Sequence, residues 1–134
     1  MVIKGGVMNI SNIMKVLADD NRLRILSIIK NNYLCVGEIQ TILNITQSNA
    51  SKHLEKLKAS GIIESNKKAQ WIYYKLSDDK LKDYPFLFEL VYNNLGDEDV
   101  IKEDLIKLGK YKASGLCCQD LRAAGFKFSD LGIE

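Results

Sequence analysis

Thr46-Gln47-Ser48-Asn49-Ala50-Ser51-Lys52-His53-Leu54-Glu55-Lys56-Leu57-Lys58-Ala59-Ser60-Gly61 reads as one helix with a stop signal at each end. Threonine is a good N-cap because its hydroxyl accepts from an orphan amide of the first turn. Glycine ends a helix because it enters the left-handed region without a Cβ clash. Between them, Ala50, His53, Leu54 and Leu57 fall at i, i+3, i+4 and i+7, the spacing of an inward stripe. Gln47, Ser48, Asn49, Ser51, Lys52, Glu55, Lys56 and Ala59 face outward, a set rich in donors for base edges and phosphates. Just upstream, Ile39, Ile42 and Leu43 share one face of a shorter helix that Asn44 can close in a left-handed turn. Two short helices joined so tightly form a helix-turn-helix.

The flanks extend this unit. Ile62 to Asn66 and Trp71 to Leu76 are β-branched and aromatic runs, and Ile72, Tyr74 and Leu76 alternate with Trp71, Tyr73 and Lys75. They predict a two-stranded hairpin whose tip, Lys67-Lys68-Ala69-Gln70, is basic. Upstream, Ile10, Ile13, Met14 and Leu17 mark an apolar stripe on a first helix. Asp19 or Asp20 can cap a second helix, in which Leu23, Ile25, Leu26, Ile28 and Ile29 cover most of the circumference. Downstream, Asp83 and Pro85 suit the start of a helix with almost no polar face, through Phe86, Leu87, Phe88, Leu90, Val91, Tyr92 and Leu95; so apolar a helix in so small a chain needs a partner. Asp97 can cap a last helix bearing Ile101, Leu105 and Leu108, which Gly109 is expected to stop.

With 134 residues, 46% apolar and 27% charged, the chain suits one domain with a single core. No apolar run approaches the roughly 18 residues of a membrane span, and the first ten residues lack the pattern of a signal peptide, so the expected location is the cytoplasm, away from membrane. The net charge of +2 is uneven, because six lysines against Glu55 and Glu64 make residues 46–75 basic while the remainder sums to a negative value. A basic stretch on a mildly acidic body points to a local polyanion contact, although a solvated face is the simpler reading of charge alone.

Leu17-Ala18-Asp19-Asp20-Asn21-Arg22-Leu23-Arg24-Ile25-Leu26 resembles the opening of the winged-helix domain of the ArsR/SmtB family of metalloregulatory repressors. Gln47 to Ile62 is similar to that family's recognition helix with its turn into the wing, and Trp71-Ile72-Tyr73-Tyr74-Lys75-Leu76 to its returning wing strand. The resemblance implies a mainly α fold with a two-stranded β-hairpin wing, a winged helix-turn-helix that dimerises through its terminal helices. Residues 8–95 would form the DNA-binding and dimerisation unit, and residues 96–134 a C-terminal helix and cysteine-bearing tail. The homodimer would bind operator double-stranded DNA with Gln47, Ser48, Asn49, Ser51 and Lys52 as reading residues and Lys56, Lys67 and Lys68 as phosphate contacts. His53, the single histidine, lies on the inward stripe, where packing or phosphate contact outweighs a ligand role.

The chain has three cysteines, Cys35, Cys117 and Cys118, an odd count that directs attention to thiol chemistry rather than structural disulfides. Arsenic-responsive members carry cysteine-valine-cysteine where this chain has Cys35-Val36-Gly37, so the second ligand position is a glycine. Cys117-Cys118 supplies two more thiols, and similar vicinal pairs occur near the C-terminus of some arsenic-sensing members. Three thiolates suit the trigonal pyramid of trivalent arsenic or antimony, the expected inducers, whereas a closed zinc site needs a fourth donor. A cadmium- or lead-responsive repressor and a thiol-redox switch remain alternatives, as does a buried Cys35 with an inert tail. Loading would weaken operator binding through a coupling of about 1 to 3 kcal/mol, roughly 5- to 150-fold. A protein-binding winged helix would keep the same core without the basic reading face. No glycine-rich phosphate loop or nucleophile–base–orienter set accompanies these cysteines, so no enzyme activity is expected.

Overall fold

The structure, a computed structural model, describes residues 9–133. Met8, Glu134 and most of the N-terminal stretch read for a signal peptide therefore lie outside the described residues. Four helices build the scaffold: α1 (Ile10–Leu17), α2 (Asp20–Ile29), α3 (Val36–Leu43) and α4 (Gln47–Ala59). Asp19 caps α2 by accepting from the Arg22 amide, and Thr46 caps α4 by accepting from the Asn49 amide. Asn44 takes φ 55° between α3 and α4, and Gly61 takes φ 81° after α4, as their positions predict. Gly61 also abuts the Lys80 stem, which an added Cβ would meet at 2.7 Å.

Strands β2 (Ile63–Lys68) and β3 (Trp71–Leu76) pair antiparallel from Ile63 opposite Leu76 to Lys68 opposite Trp71. The turn is therefore only Ala69-Gln70, and Lys67 and Lys68 belong to the strand instead of the tip. A short strand β1 (Leu34–Cys35) adds to the other edge of β3, with Cys35 opposite Tyr73, so the wing's sheet has the order β1-β3-β2. That pairing brings the first turn of α3 against the wing.

After the wing come α5 (Asp78–Asp83) and α6 (Pro85–Glu89), a π-helical turn at Leu90–Asn94 and a 3₁₀ turn at Leu95–Asp97. Helix α7 (Asp99–Ser114) runs through Gly109 and ends before Gly115 at φ 76°. The expected stop at Gly109 is thus corrected. One glycine costs a helix about 1 kcal/mol, and burial of Ile101, Asp104, Leu108 and Tyr111 along one stripe outweighs it. A short helix, α8 (Cys118–Ala123), packs on α3.

The core is continuous from α1 through the wing to α7, with Ile13, Ile25, Leu26, Ile28, Ile29, Ile39, Ile42, Leu54 and Leu57 essentially inaccessible. Two arginines explain the polar residues near the start of α2. The Arg22 Nε donates to the Val16 carbonyl at 2.5 Å and closes the end of α1. The Arg24 guanidinium grips the buried Asp104 of α7 through two bonds of 2.8 and 2.9 Å and donates to the Leu43 carbonyl at the end of α3. On α1 the stripe divides: Ile13 and Leu17 are buried, while Ile10 and Met14 remain about half exposed. No helix among the described residues is long and apolar enough to cross a membrane.

Candidate functional site

Two surfaces carry chemistry. Gln47, Ser48, Asn49, Ser51, Lys52 and Lys56 are exposed on α4, and Lys67 and Lys68 are exposed on β2. The inward stripe behind them buries Ala50, Leu54 and Leu57, which pins α4 to the core and leaves its outer face bare. His53 is half-buried at the edge of that stripe, with Nδ1 at 3.3 Å from the Arg22 Nη1. Arginine can only donate, so Nδ1 is the acceptor of a neutral ring. Burial holds the His53 pKa below its usual value, with Arg22, Lys52 and Lys56 adding to the effect against Asp19.

The second surface forms where α3, β3, α7 and α8 meet. The ligand atoms of Cys35, Glu38 and Cys118, all buried, lie within 4.8 Å of one another. Cys35 immediately precedes α3, and Glu38, three residues on, reaches back so that its Oε1 accepts from the Cys35 amide at 2.9 Å. The Tyr111 hydroxyl, on α7, donates to Glu38 Oε2 at 2.5 Å. The Tyr73 hydroxyl lies 3.7 Å from Cys118 Sγ. The Cys117-x-x-Asp120 segment repeats the Cys35-x-x-Glu38 device, with Asp120 Oδ2 accepting from the Cys117 amide at 2.8 Å. Cys117 therefore sits at the helix boundary and is exposed, while Cys118, the first helical residue, turns inward.

The sulfurs of the two buried thiols lie within 4.8 Å of each other. Donation from the Cys35 thiol holds the Cys118 pKa below its usual value, helped by Tyr73, so Cys118 ionises more readily than Cys35. The same pairing, with burial, drives the Cys35 pKa up, as loss of its proton would set a second charge beside the first. Tyr73 and Tyr111 remain protonated donors, Tyr73 chiefly through its bond to Cys118 and Tyr111 chiefly through burial and its bond to Glu38. A soft sulfur that gives up its proton more readily than an ordinary thiol, beside a second thiol and a carboxylate, suits a thiophilic cation.

Of the three expected sulfur ligands, the structure brings Cys35 and Cys118 together and leaves Cys117 outside the cluster. The absence of a thiol at Gly37 has a steric counterpart: a Cβ there would meet the Phe126 ring at 2.8 Å. Glu38, Tyr73 and Tyr111 were missed in the sequence. The Cys-x-x-acid spacing, a helix-start pattern, could have flagged Glu38; the tyrosines carried no local signal.

Residues 19–65 match the family described as bacterial regulatory protein, arsR family. The chain is similar to the transcriptional repressor SdpR of Bacillus subtilis, 33% identical over 67% of this chain and 99% of that protein. It is also similar to the transcriptional activator HlyU of Vibrio cholerae, 35% identical over 60% of this chain and 74% of the relative. An arsenic resistance transcriptional regulator of Pseudomonas putida is 42% identical over 48% of this chain and 51% of its own length. Among solved structures, reduced HlyU superposes with a TM-score of 0.53 at 34% identity, over 62% of this chain and 87% of that one. A homodimeric winged helix-turn-helix DNA-binding domain from Mycobacterium bovis superposes with a TM-score of 0.54 at 26% identity, over 61% and 76% of the two chains. The family match includes Cys35 and Glu38 and ends before Tyr73, Tyr111 and Cys118.

Proposed function

The chain belongs to the arsR family of bacterial regulatory proteins, with a winged helix-turn-helix fold, and we propose that it is a homodimeric repressor that releases operator DNA when a thiophilic inducer loads its cysteines. It is a transcriptional regulator, not an enzyme, as are the relatives it matches. Its DNA surface is the outer face of α4, with Gln47, Ser48, Asn49, Ser51 and Lys52 toward base edges and Lys56, Lys67 and Lys68 toward phosphates. His53, anchored to Arg22, orients that helix from behind and is a candidate phosphate contact. Exposure of Ile10 and Met14 on α1 supports a dimer face there.

The observation that carries the sensing role is the Cys35–Glu38–Cys118 cluster, because it ties α8 to the first turn of α3, the helix that supports α4. Trivalent arsenic or antimony is the inducer we favour: Cys35 and Cys118 supply two thiolates, and Cys117, one residue away, supplies the third once the first turn of α8 opens. The carboxylate in the cluster favours one other reading, a divalent cadmium or lead ion held by Cys35, Glu38 and Cys118 without Cys117.

Fluorescence anisotropy on promoter DNA tests both. Arsenite is expected to release the wild type and to leave Cys35→Ser, Cys117→Ser and Cys118→Ser bound. Release of Cys117→Ser by cadmium but not arsenite would move the assignment to the divalent ion. A wild-type complex indifferent to both, and to oxidants, would remove the sensing role and leave DNA binding intact.

A further inference from the structure

Helix α8 touches the wing at two points. The side chains of Trp71 and Tyr73 lie on one face of β3, two residues and about 7 Å apart along the strand. Cys118 and Arg122 lie one helical turn apart, about 6 Å along α8. These repeats match: Cys118 meets the Tyr73 hydroxyl, and the Arg122 guanidinium carbon lies over the Trp71 ring at 4.7 Å from its centroid. A cation over a ring is held without using its N–H donors, and the Arg122 guanidinium makes no hydrogen bond among the described residues. No carboxylate lies within ion-pair distance of Arg122 among the described residues, and the residue is exposed.

Those free donors border a concave surface. A cavity of about 660 Å³ lies between the first turn of α3, α4 and the wing, with Gln40, Gln47, Ser51, Gln70, Trp71 and Arg122 among its borders. Among the described residues no acidic side chain lines it, and Arg122 is the one cation that does. Lys68, directly opposite Trp71 across the ladder, adds a second positive charge at the same end of the hairpin. A duplex that takes the first turn of α4 into its major groove carries its sugar-phosphate backbone alongside the wing.

Building on the DNA-binding reading above, we propose that Arg122 is an operator-backbone contact outside the winged helix-turn-helix, held on the Trp71 ring and carried on α8 one turn beyond the thiol ligand Cys118. The recognised group is a DNA phosphodiester. The ring-held guanidinium is preorganised for it, since the ring rather than the phosphate restricts the arginine's rotamers.

The test is the salt dependence of promoter binding by the full chain. Each phosphate neutralised contributes about 0.9 to the slope of log affinity against log salt. Arg122→Gln should therefore lower the slope by about 1 per protomer, or about 2 for a dimer, so that its affinity falls about tenfold less than the wild type's between about 50 and about 200 mM salt. Arg122→Lys should keep most of the wild-type slope. A salt-dependent wild-type complex with the same slope in Arg122→Gln would overturn the Arg122 contact alone. If the wild type forms no salt-dependent complex, both this contact and the DNA-binding reading fall. Because the residue is exposed, unchanged helicity in Arg122→Gln is expected and separates a lost contact from a lost fold.

Discussion

Tyr73 acts on a neighbour's proton, whereas the surroundings of His53 act on its own. Tyr73 donates to the more readily ionised of the two buried sulfurs, so Tyr73→Phe should raise the Cys118 pKa toward that of an ordinary thiol, read as a shift in the pH dependence of ultraviolet thiolate absorbance. No shift would mean that the Cys35 thiol alone sets the value. His53 works in the opposite sense. Its folded pKa lies below the unfolded value near 6.5, so the unfolded chain binds the proton more readily. The stability it contributes is complete above that value and declines as pH falls below it. His53→Gln, which can still accept from Arg22, should flatten the fall in denaturation midpoint between about pH 7 and about pH 5. An equally steep fall in the variant would assign acid sensitivity to other groups.

Helices communicate here through single side chains. The Arg24–Asp104 pair joins α2, the end of α3 and α7, and Asp104 is almost wholly buried. Breaking a buried pair leaves one charge uncompensated, so Asp104→Ala should cost roughly 3 to 5 kcal/mol of unfolding free energy in denaturant titration. A loss under about 1 kcal/mol would mean that water reaches Arg24 and replaces its partner. In the proposed mechanism α8 links thiol chemistry to DNA, because it has Cys118 at one end and Arg122 at the other. If loading displaces α8, arsenite-saturated wild type should show the reduced salt slope expected of Arg122→Gln, and an unchanged slope would place the coupling in α3 and α4 instead.

For the whole molecule, the question is what covers the apolar surface that one protomer leaves open. Ile10 and Met14 on α1 belong to the same stripe as the buried Ile13 and Leu17, so the stripe is wider than this core can cover. Met14→Glu should weaken self-association in sedimentation equilibrium and, with it, promoter affinity, since two recognition helices must be held at a fixed spacing. Unchanged association would place the dimer contact elsewhere, with exposed Phe88, Val100 and Ile106 the next positions to test.

The local signals were sufficient for the reading helix, the caps at Asp19 and Thr46, the left-handed Asn44 and the hairpin strands, because each depends on residues within a few positions of one another. Gly109 misled for the same reason: its cost is local, whereas the burial of Asp104, Leu108 and Tyr111 that overrides it comes from α2 and α3. The cysteine site divides in the same way. Three thiols and a Cys-x-x-Glu spacing are written in the chain, and the selection of Cys118 over Cys117 is not. Only the tertiary structure makes that choice, because α8 starts between the two sulfurs and docks on Tyr73, turning one thiol toward Cys35 and Glu38 and the other toward solvent. Sequence alone determined the family, the fold and which residues of α4 face outward. Packing between residues some 80 positions apart decided which donors share a site and brought Arg122 to the wing.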